Sequence, residues 1–156
     1  MAGQGFHRWL TDDQQRVWRS WLLGTARISQ VLDQELRPHG LDLAEYEILV
    51  TLSEAPNRRL RMSLLAELVH QSRSRLTHTV TRMEQINAVR RTRSKQDGRG
   101  VVAELTDEGY ALLVETAPYH VESVRRIFVD AVDPADYAAV GRAMQAVLAV
   151  DLADQQ

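Results

Sequence analysis

The stretch from Ser72 to Glu84, SRSRLTHTVTRME, decides the fold of this chain. At the angular spacing of an α-helix, Leu76, Val80 and Met83 fall on one stripe, which we expect to pack inward. The opposite arc has no acid and no large apolar residue, and it consists of Ser74, Arg75, Thr77, His78, Thr81 and Arg82. An apolar face backed by a wholly cationic and polar face is typical of a helix that enters the major groove of DNA.

The segments on either side of this helix complete a known arrangement. A short helix is predicted from about Ser63 to Val69, with a polar junction at His70 and Gln71 before the longer helix. Two strands, 89–93 and 101–105, follow it and are joined by a loop that contains two glycines. The order helix, short turn, helix and basic hairpin predicts a winged helix-turn-helix.

Capping signals predict the remaining helices. Capping boxes at Thr11 to Gln14 and at Asp42 to Glu45 start the first two helices, which end at 38–40 and 54–57. Thr106 caps a long helix that runs to about Asp130 and that Pro118 should kink. Asp133 and Pro134 are predicted to open the last helix, with proline in its first position. The fold class is therefore mainly α with a small β-wing.

The charge of the chain is strongly uneven. Residues 58–99 contain eleven basic and three acidic side chains and so carry a net charge of +8, whereas the whole chain carries −2. A basic segment within an acidic remainder is typical of a protein that binds phosphate at one place. A solvated surface is the alternative, but such surfaces usually mix both signs. The pattern therefore favours double-stranded DNA as the partner.

Eleven side chains of this segment have an expected role in binding DNA. Arg75, His78 and Arg82 are predicted to read bases in the major groove. Residues at the start of the helix, where free backbone N–H groups favour phosphate, should position the helix on DNA or add base contacts. The wing should hold phosphates and insert one arginine into the minor groove, where Asp97 either orients that arginine or only forms the turn. The positioning residues are Ser72, Arg73, Ser74 and Thr77, the phosphate ligands are Arg91, Arg93 and Lys95, and the minor-groove residue is Arg99.

Three motifs together resemble the MarR family, the multiple antibiotic resistance regulators. They are the 72–84 helix, the wing segments 89–91 and 97–99, and the segment 105–109, LTDEG, which resembles the start of the helix after the wing. The resemblance covers about residues 10 to 150. Two departures are visible: Asn87 and Ala88 stand where the family usually has a glycine, and Arg99 stands where it often has two adjacent arginines. Asparagine tolerates the left-handed conformation, so we expect the turn to persist.

The resemblance implies a ligand-responsive repressor that binds DNA as a homodimer. Residues 1–40 and 107–156 would form the dimerisation lobe, and residues 41–106 would form the winged helix-turn-helix lobe. A two-fold dimer would then bind a pseudo-palindromic operator with half-sites about 10 base pairs apart.

A crevice between the two lobes accepts small, often aromatic, effectors in similar proteins. Aromatic side chains from several parts of this chain could line it, although aromatic residues at helical spacing more often pack in a core. The candidates for contact with an aromatic effector are Trp18, Trp21, His39, Tyr46 and Tyr110.

Other classes of function find little support in the sequence. The chain has no cysteine, and its five histidines lack metal-ligand spacing, so neither a metal nor another cofactor is expected. No phosphate loop or nucleophile elbow suggests an enzyme. His120 is expected to be a satisfied interface residue.

No secretion signal or membrane-spanning run is visible, which predicts a cytoplasmic protein. Two alternatives remain: a winged-helix module that docks an acidic protein, and a small-molecule-binding protein without DNA specificity.

Overall fold

A computed structural model describes residues 8–93 and 100–151 of the chain. Within these ranges the protein forms six α-helices and one three-stranded antiparallel sheet, which confirms the predicted fold class. The elements in chain order are α1 (Asp12–Leu36), α2 (Leu43–Glu54), β1 (Arg59–Arg61), α3 (Met62–Leu68), α4 (Arg73–Gln85), β2 (Val89–Arg93), β3 (Val101–Leu105), α5 (Asp107–Val124) and α6 (Tyr137–Leu148).

The predicted helix boundaries agree with the structure where a side chain caps the helix. Thr11 and Asp42 both form complete capping boxes, with Gln14 and Glu45 respectively. The chain leaves α1 through a 3-10 turn and a left-handed glycine, Gly40, at φ 78°. Asn87 adopts φ 56° after α4, so the expected left-handed turn is present without a glycine.

The sheet contains one strand more than the sequence predicted. Strand β3 lies in the middle, with β1 on one side and β2 on the other. Arg59 and Arg90 both stand opposite Glu104, so the three side chains form one row across the sheet. Strand β1 has only three residues, two of them arginine, so it is too short to be recognised from apolar alternation.

The C-terminal helices differ from the prediction in one boundary. Helix α6 begins at Tyr137 and not at Pro134, because the Asp133 carboxylate accepts the Ala135 N–H at 2.8 Å and closes a turn there instead. Helix α5 continues through Pro118 to Val124, and a π-helical turn then extends it to residue 129.

The core of the chain lies in the winged-helix part. Its most buried side chains include Ile48, Leu49 and Leu52 of α2, and Leu65 of α3. The predicted inner stripe of α4 is confirmed, since Leu76, Val80 and Met83 are fully buried. This packing fixes α4 by one face and leaves its other face open to solvent.

Candidate nucleic-acid interface

The outer face of α4 is exposed along its whole length. Ser72 caps the helix by accepting the Arg75 N–H at 3.2 Å, which holds the first turn in place. Thr77 and Thr81 donate their hydroxyl protons to the carbonyls of residues 73 and 77, at 2.8 Å and 2.9 Å. The Thr77 hydroxyl oxygen therefore remains available as an acceptor on the outer face.

Three side chains of this face are available for an outside partner. Arg73, Arg75 and His78 are exposed, and none of them forms a side-chain hydrogen bond or an ion pair with another residue in the described ranges. An open groove of about 400 Å³ runs beside them and is lined by Asp42, Ala44, Ser72, Ser74, Arg75, His78, Thr79 and Arg82.

Arg82, the third predicted base reader, is already engaged within the protein. Its guanidinium donates to Asp42 at 2.7 Å and to Glu45 at 3.1 Å. Both acids belong to the capping box of α2, and Glu45 is buried. The side chain of Arg82 is nevertheless 52% exposed. The pair therefore anchors α4 to α2, and the guanidinium must share or exchange these partners to contact DNA.

Arg91, predicted to hold a phosphate, forms a tight link between the wing and α4. Glu84 accepts its backbone N–H at 2.9 Å and its guanidinium at 2.5 Å and 3.1 Å, and Thr81 accepts a further bond at 3.1 Å. The Arg91 guanidinium lowers the pKa of the Glu84 carboxyl, and Glu84 in turn raises the pKa of Arg91. Arg91 thus sets the position of the wing relative to α4.

The wing also carries cations that other acids neutralise. Arg59 and Arg90 both pair with Glu104, at 3.5 Å and 2.7 Å. Arg58 lies over the ring of Tyr110 and 3.4 Å from Asp107. Much of the positive charge of the 58–99 segment is therefore balanced locally.

The other predicted wing contacts are only partly visible. Arg93 is exposed at the end of β2. Lys95, Asp97 and Arg99 lie outside the described residues.

The candidate effector residues do not line a common cleft. A cleft of about 420 Å³ opens between α1, α2, the end of α3 and α5, and of the five candidates only Tyr46 lines it. Trp18 and Trp21 are exposed on α1. His39 instead stacks on Tyr119, with ring centroids 4.3 Å apart, and Tyr110 packs beneath Arg58.

His120 forms one wall of this cleft, where the sequence predicted a satisfied interface residue. Its ring stacks on Tyr46 with centroids 4.2 Å apart. Its Nδ1 atom is buried and has no hydrogen-bond partner among the described residues, which corrects that prediction. Burial lowers the pKa of the His120 imidazole, so the neutral form is favoured.

The cleft continues towards α4 as a polar space of about 590 Å³. Glu47 and His70 line both spaces, and Arg75 of α4 lines the polar one. Burial raises the pKa of the Glu47 carboxyl, which His70 and Arg75 partly offset. Sequence reasoning missed Glu47, His70 and His120, because they come from separate parts of the chain that only the fold brings together.

Comparison with known proteins agrees with this geometry. The family model described as Transcriptional regulator SarA/Rot matches residues 30–115, more than half of the chain. The chain belongs to the MarR family of transcriptional regulators. The HTH-type transcriptional regulator PecS of Dickeya dadantii (strain 3937) is 34% identical over 102 residues, which are 64% of this chain and 61% of PecS.

Two solved structures of MarR-family regulators from Streptomyces coelicolor are similar over most of the chain. AbsC is 44% identical, with a TM-score of 0.85 and coverage of 91% of this chain and 96% of AbsC. Sco3205, solved in complex with DNA, is 42% identical, with a TM-score of 0.87 and coverage of 91% and 89%.

This MarR-family member has no metal-binding cluster of histidine and acidic side chains within residues 8–93 and 100–151. Within the same ranges, its helices are too short or too polar to cross a membrane.

Proposed function

We propose that this regulator is a ligand-responsive repressor that binds a pseudo-palindromic operator as a homodimer. The proposal rests mainly on the exposed face of α4. That face presents Arg73, Arg75 and His78 with no side-chain hydrogen bond or ion pair among the described residues, on a helix whose other side is fixed in the core. The similar regulator Sco3205 was solved bound to DNA, which supports the same use of this fold here.

Arg75 and His78 are the strongest candidates for reading bases. The Arg75 guanidinium can donate two parallel hydrogen bonds to guanine, and the His78 imidazole can contact a neighbouring base edge. Arg82 would join them after leaving Asp42 and Glu45, so its contribution should be smaller. The positioning and phosphate-contacting residues are Ser72, Arg73, Ser74, Thr77, Arg91, Arg93, Lys95 and Arg99.

The proposal of a homodimer is supported by how little the terminal helices bury within one chain. Helix α1 buries only Leu36 and α6 buries no residue, although both are amphipathic. Trp18, Leu23 and Leu148 are among the large apolar side chains left exposed on them. A second copy of the chain would cover these faces. The dimerisation lobe would comprise residues 1–40 and 107–156, with residues 41–106 as the DNA-binding lobe.

The cleft beside Tyr46 and His120 is the best candidate for the effector site. It joins the proposed dimerisation lobe to the proposed DNA-binding lobe, and its stacked aromatic wall suits a small planar ligand. A ligand there would act on DNA binding by changing the position of α2 and α4.

Selection from a random DNA library at about 150 mM salt tests the proposed function. We expect a two-fold symmetric site with half-sites about 10 base pairs apart. Failure to enrich any sequence, by dimeric protein shown to be free of ligand, would contradict the proposal. It would favour a module that docks an acidic protein.

A further inference from the structure

A second groove lies between α4 and the sheet, on the side away from α2. It has a volume of about 440 Å³, and Arg61, Ser63, Arg73, Thr77 and Gly100 contribute its polar lining. Met62, Leu76 and Val101 supply the rest of its walls. One guanidinium thus comes from the end of β1 and the other from the first turn of α4.

The position of this groove matches the path of one DNA strand. When a helix enters the major groove and a wing enters the adjacent minor groove, a single sugar-phosphate backbone separates the two grooves. That backbone must cross the protein between the helix and the wing. Here the space between α4 and the beginning of β3 is this groove.

The side chains of the groove suit a phosphate. Arg73 lies on the exposed face of α4 and contributes a guanidinium to the groove, whereas the Thr77 hydroxyl donates its proton to the Arg73 carbonyl and offers no donor to a phosphate. The Ser63 hydroxyl can donate to a phosphate oxygen, as can both guanidiniums. Among the described residues that line this groove none is acidic, whereas Asp42 lines the groove on the other side of α4.

We propose that Arg61 and Ser63, together with Arg73, bind the DNA phosphate that lies between the major-groove and minor-groove contacts. This inference rests on the proposed function, and it adds β1 and the start of α3 to the DNA contact surface. Arg61 would contribute charge without reading sequence, because phosphates are the same at every base pair.

The test compares Arg61→Gln, Arg61→Lys and Arg90→Gln with the wild-type protein. Each is titrated with the selected operator and with random duplex DNA between about 50 and 200 mM salt, the range in which counterion release is readily measured. Arg90→Gln is the matched control, because it removes one charge from the same sheet at a side chain that does not line this groove. Thermal unfolding of each variant checks that the fold is retained.

We expect Arg61→Gln to weaken binding to both DNAs by a similar factor and to reduce the slope of log K against log salt by about one unit. Arg61→Lys should keep most of the slope, and Arg90→Gln should leave it unchanged. A folded Arg61→Gln variant with wild-type affinity and slope would overturn the inference. Failure of the wild-type protein to prefer any DNA sequence would instead contradict the proposed function.

Discussion

The contact between Glu84 and Arg91 gives a quantitative prediction about how the wing is held. The carboxylate of Glu84 accepts two bonds from the Arg91 guanidinium and one from its backbone N–H. Each side chain is only 29% exposed, so solvent screens the pair less than an ordinary surface pair. Replacement of Glu84 by Gln keeps the shape and one acceptor but removes the charge.

The expected cost can be worked out from these bonds. A hydrogen bond to a charged group contributes about 1.5–3 kcal/mol, against roughly 0.5–1.5 kcal/mol for a neutral one. After an allowance for partial exposure, Glu84→Gln should lower the free energy of unfolding by about 1–2 kcal/mol. In a chain of this size that corresponds to a fall of roughly 2–8 °C in the melting temperature.

Urea unfolding of the wild type, Glu84→Gln, Arg91→Gln and the double variant measures the coupling directly. Protein concentration must be held constant, because the proposed dimer formation would contribute to apparent stability. We expect a coupling free energy of about 1–2 kcal/mol at pH 7. A value below about 0.3 kcal/mol would refute the reasoning, since it is within the additivity expected of independent sites.

The pH dependence of the same coupling provides a second check. Arg91 lowers the pKa of Glu84 below its ordinary value of 4.5. The stabilisation is therefore fully present above that ordinary value and is lost as the pH falls through the lowered one. The coupling should be unchanged between pH 7 and pH 5 and should disappear only in more acidic solution.

Four further predictions address the fold, the cleft, the dimer and the wing. Gly109→Ala should destabilise the protein by about 1–3 kcal/mol in urea unfolding, because the added Cβ would lie 2.0 Å from the Ala88 carbonyl oxygen. Gly24→Ala is the control, because its added Cβ would have no neighbour within 4 Å. Burial lowers the His120 pKa, so the unfolded chain takes up more protons than the folded one and the wild type loses stability as the pH falls. His120→Gln should therefore flatten the decrease in melting temperature between pH 7 and pH 5. An equally steep decrease in the variant would show that His120 does not cause the pH dependence of the melting temperature. Leu148→Glu, at a side chain 81% exposed in the protomer, should shift sedimentation towards the monomer, and an unchanged dimer would place the interface elsewhere. Lys95→Ala should weaken binding to all DNA sequences alike and reduce the salt slope by about one unit, and an unchanged slope would remove Lys95 from the phosphate contacts.

The helices of this chain were largely predictable, because their boundaries depend on nearby residues. The capping boxes at Thr11 and Asp42 and the left-handed residue Asn87 are local signals, and the structure confirms all three. Strand β1 was missed because its pairing with β3 joins residues far apart in sequence. The start of α6 was misplaced because Asp133 caps a turn and not the helix.

The exposed face of the candidate site was predictable from the sequence, but the ion pairs of its side chains were not. The exposed face of α4 follows from helical periodicity alone, and the structure confirms its exposure. The partners of Arg82 could not be foreseen, since Asp42 and Glu45 lie about 40 residues earlier in the chain and act first as helix caps. The effector candidates were chosen by residue type, whereas the cleft is formed by residues that packing brings together.

The most direct test of the account concerns Arg75 and the base that it is proposed to read. Binding free energies would be measured for the wild type and Arg75→Ala on the selected operator and on operators changed at one symmetric base pair at a time. We expect Arg75→Ala to weaken operator binding by about 1–3 kcal/mol per contacted base and to abolish discrimination at one position of each half-site. An equal loss on every sequence, including random DNA, would contradict the claim that the exposed face of α4 reads the operator.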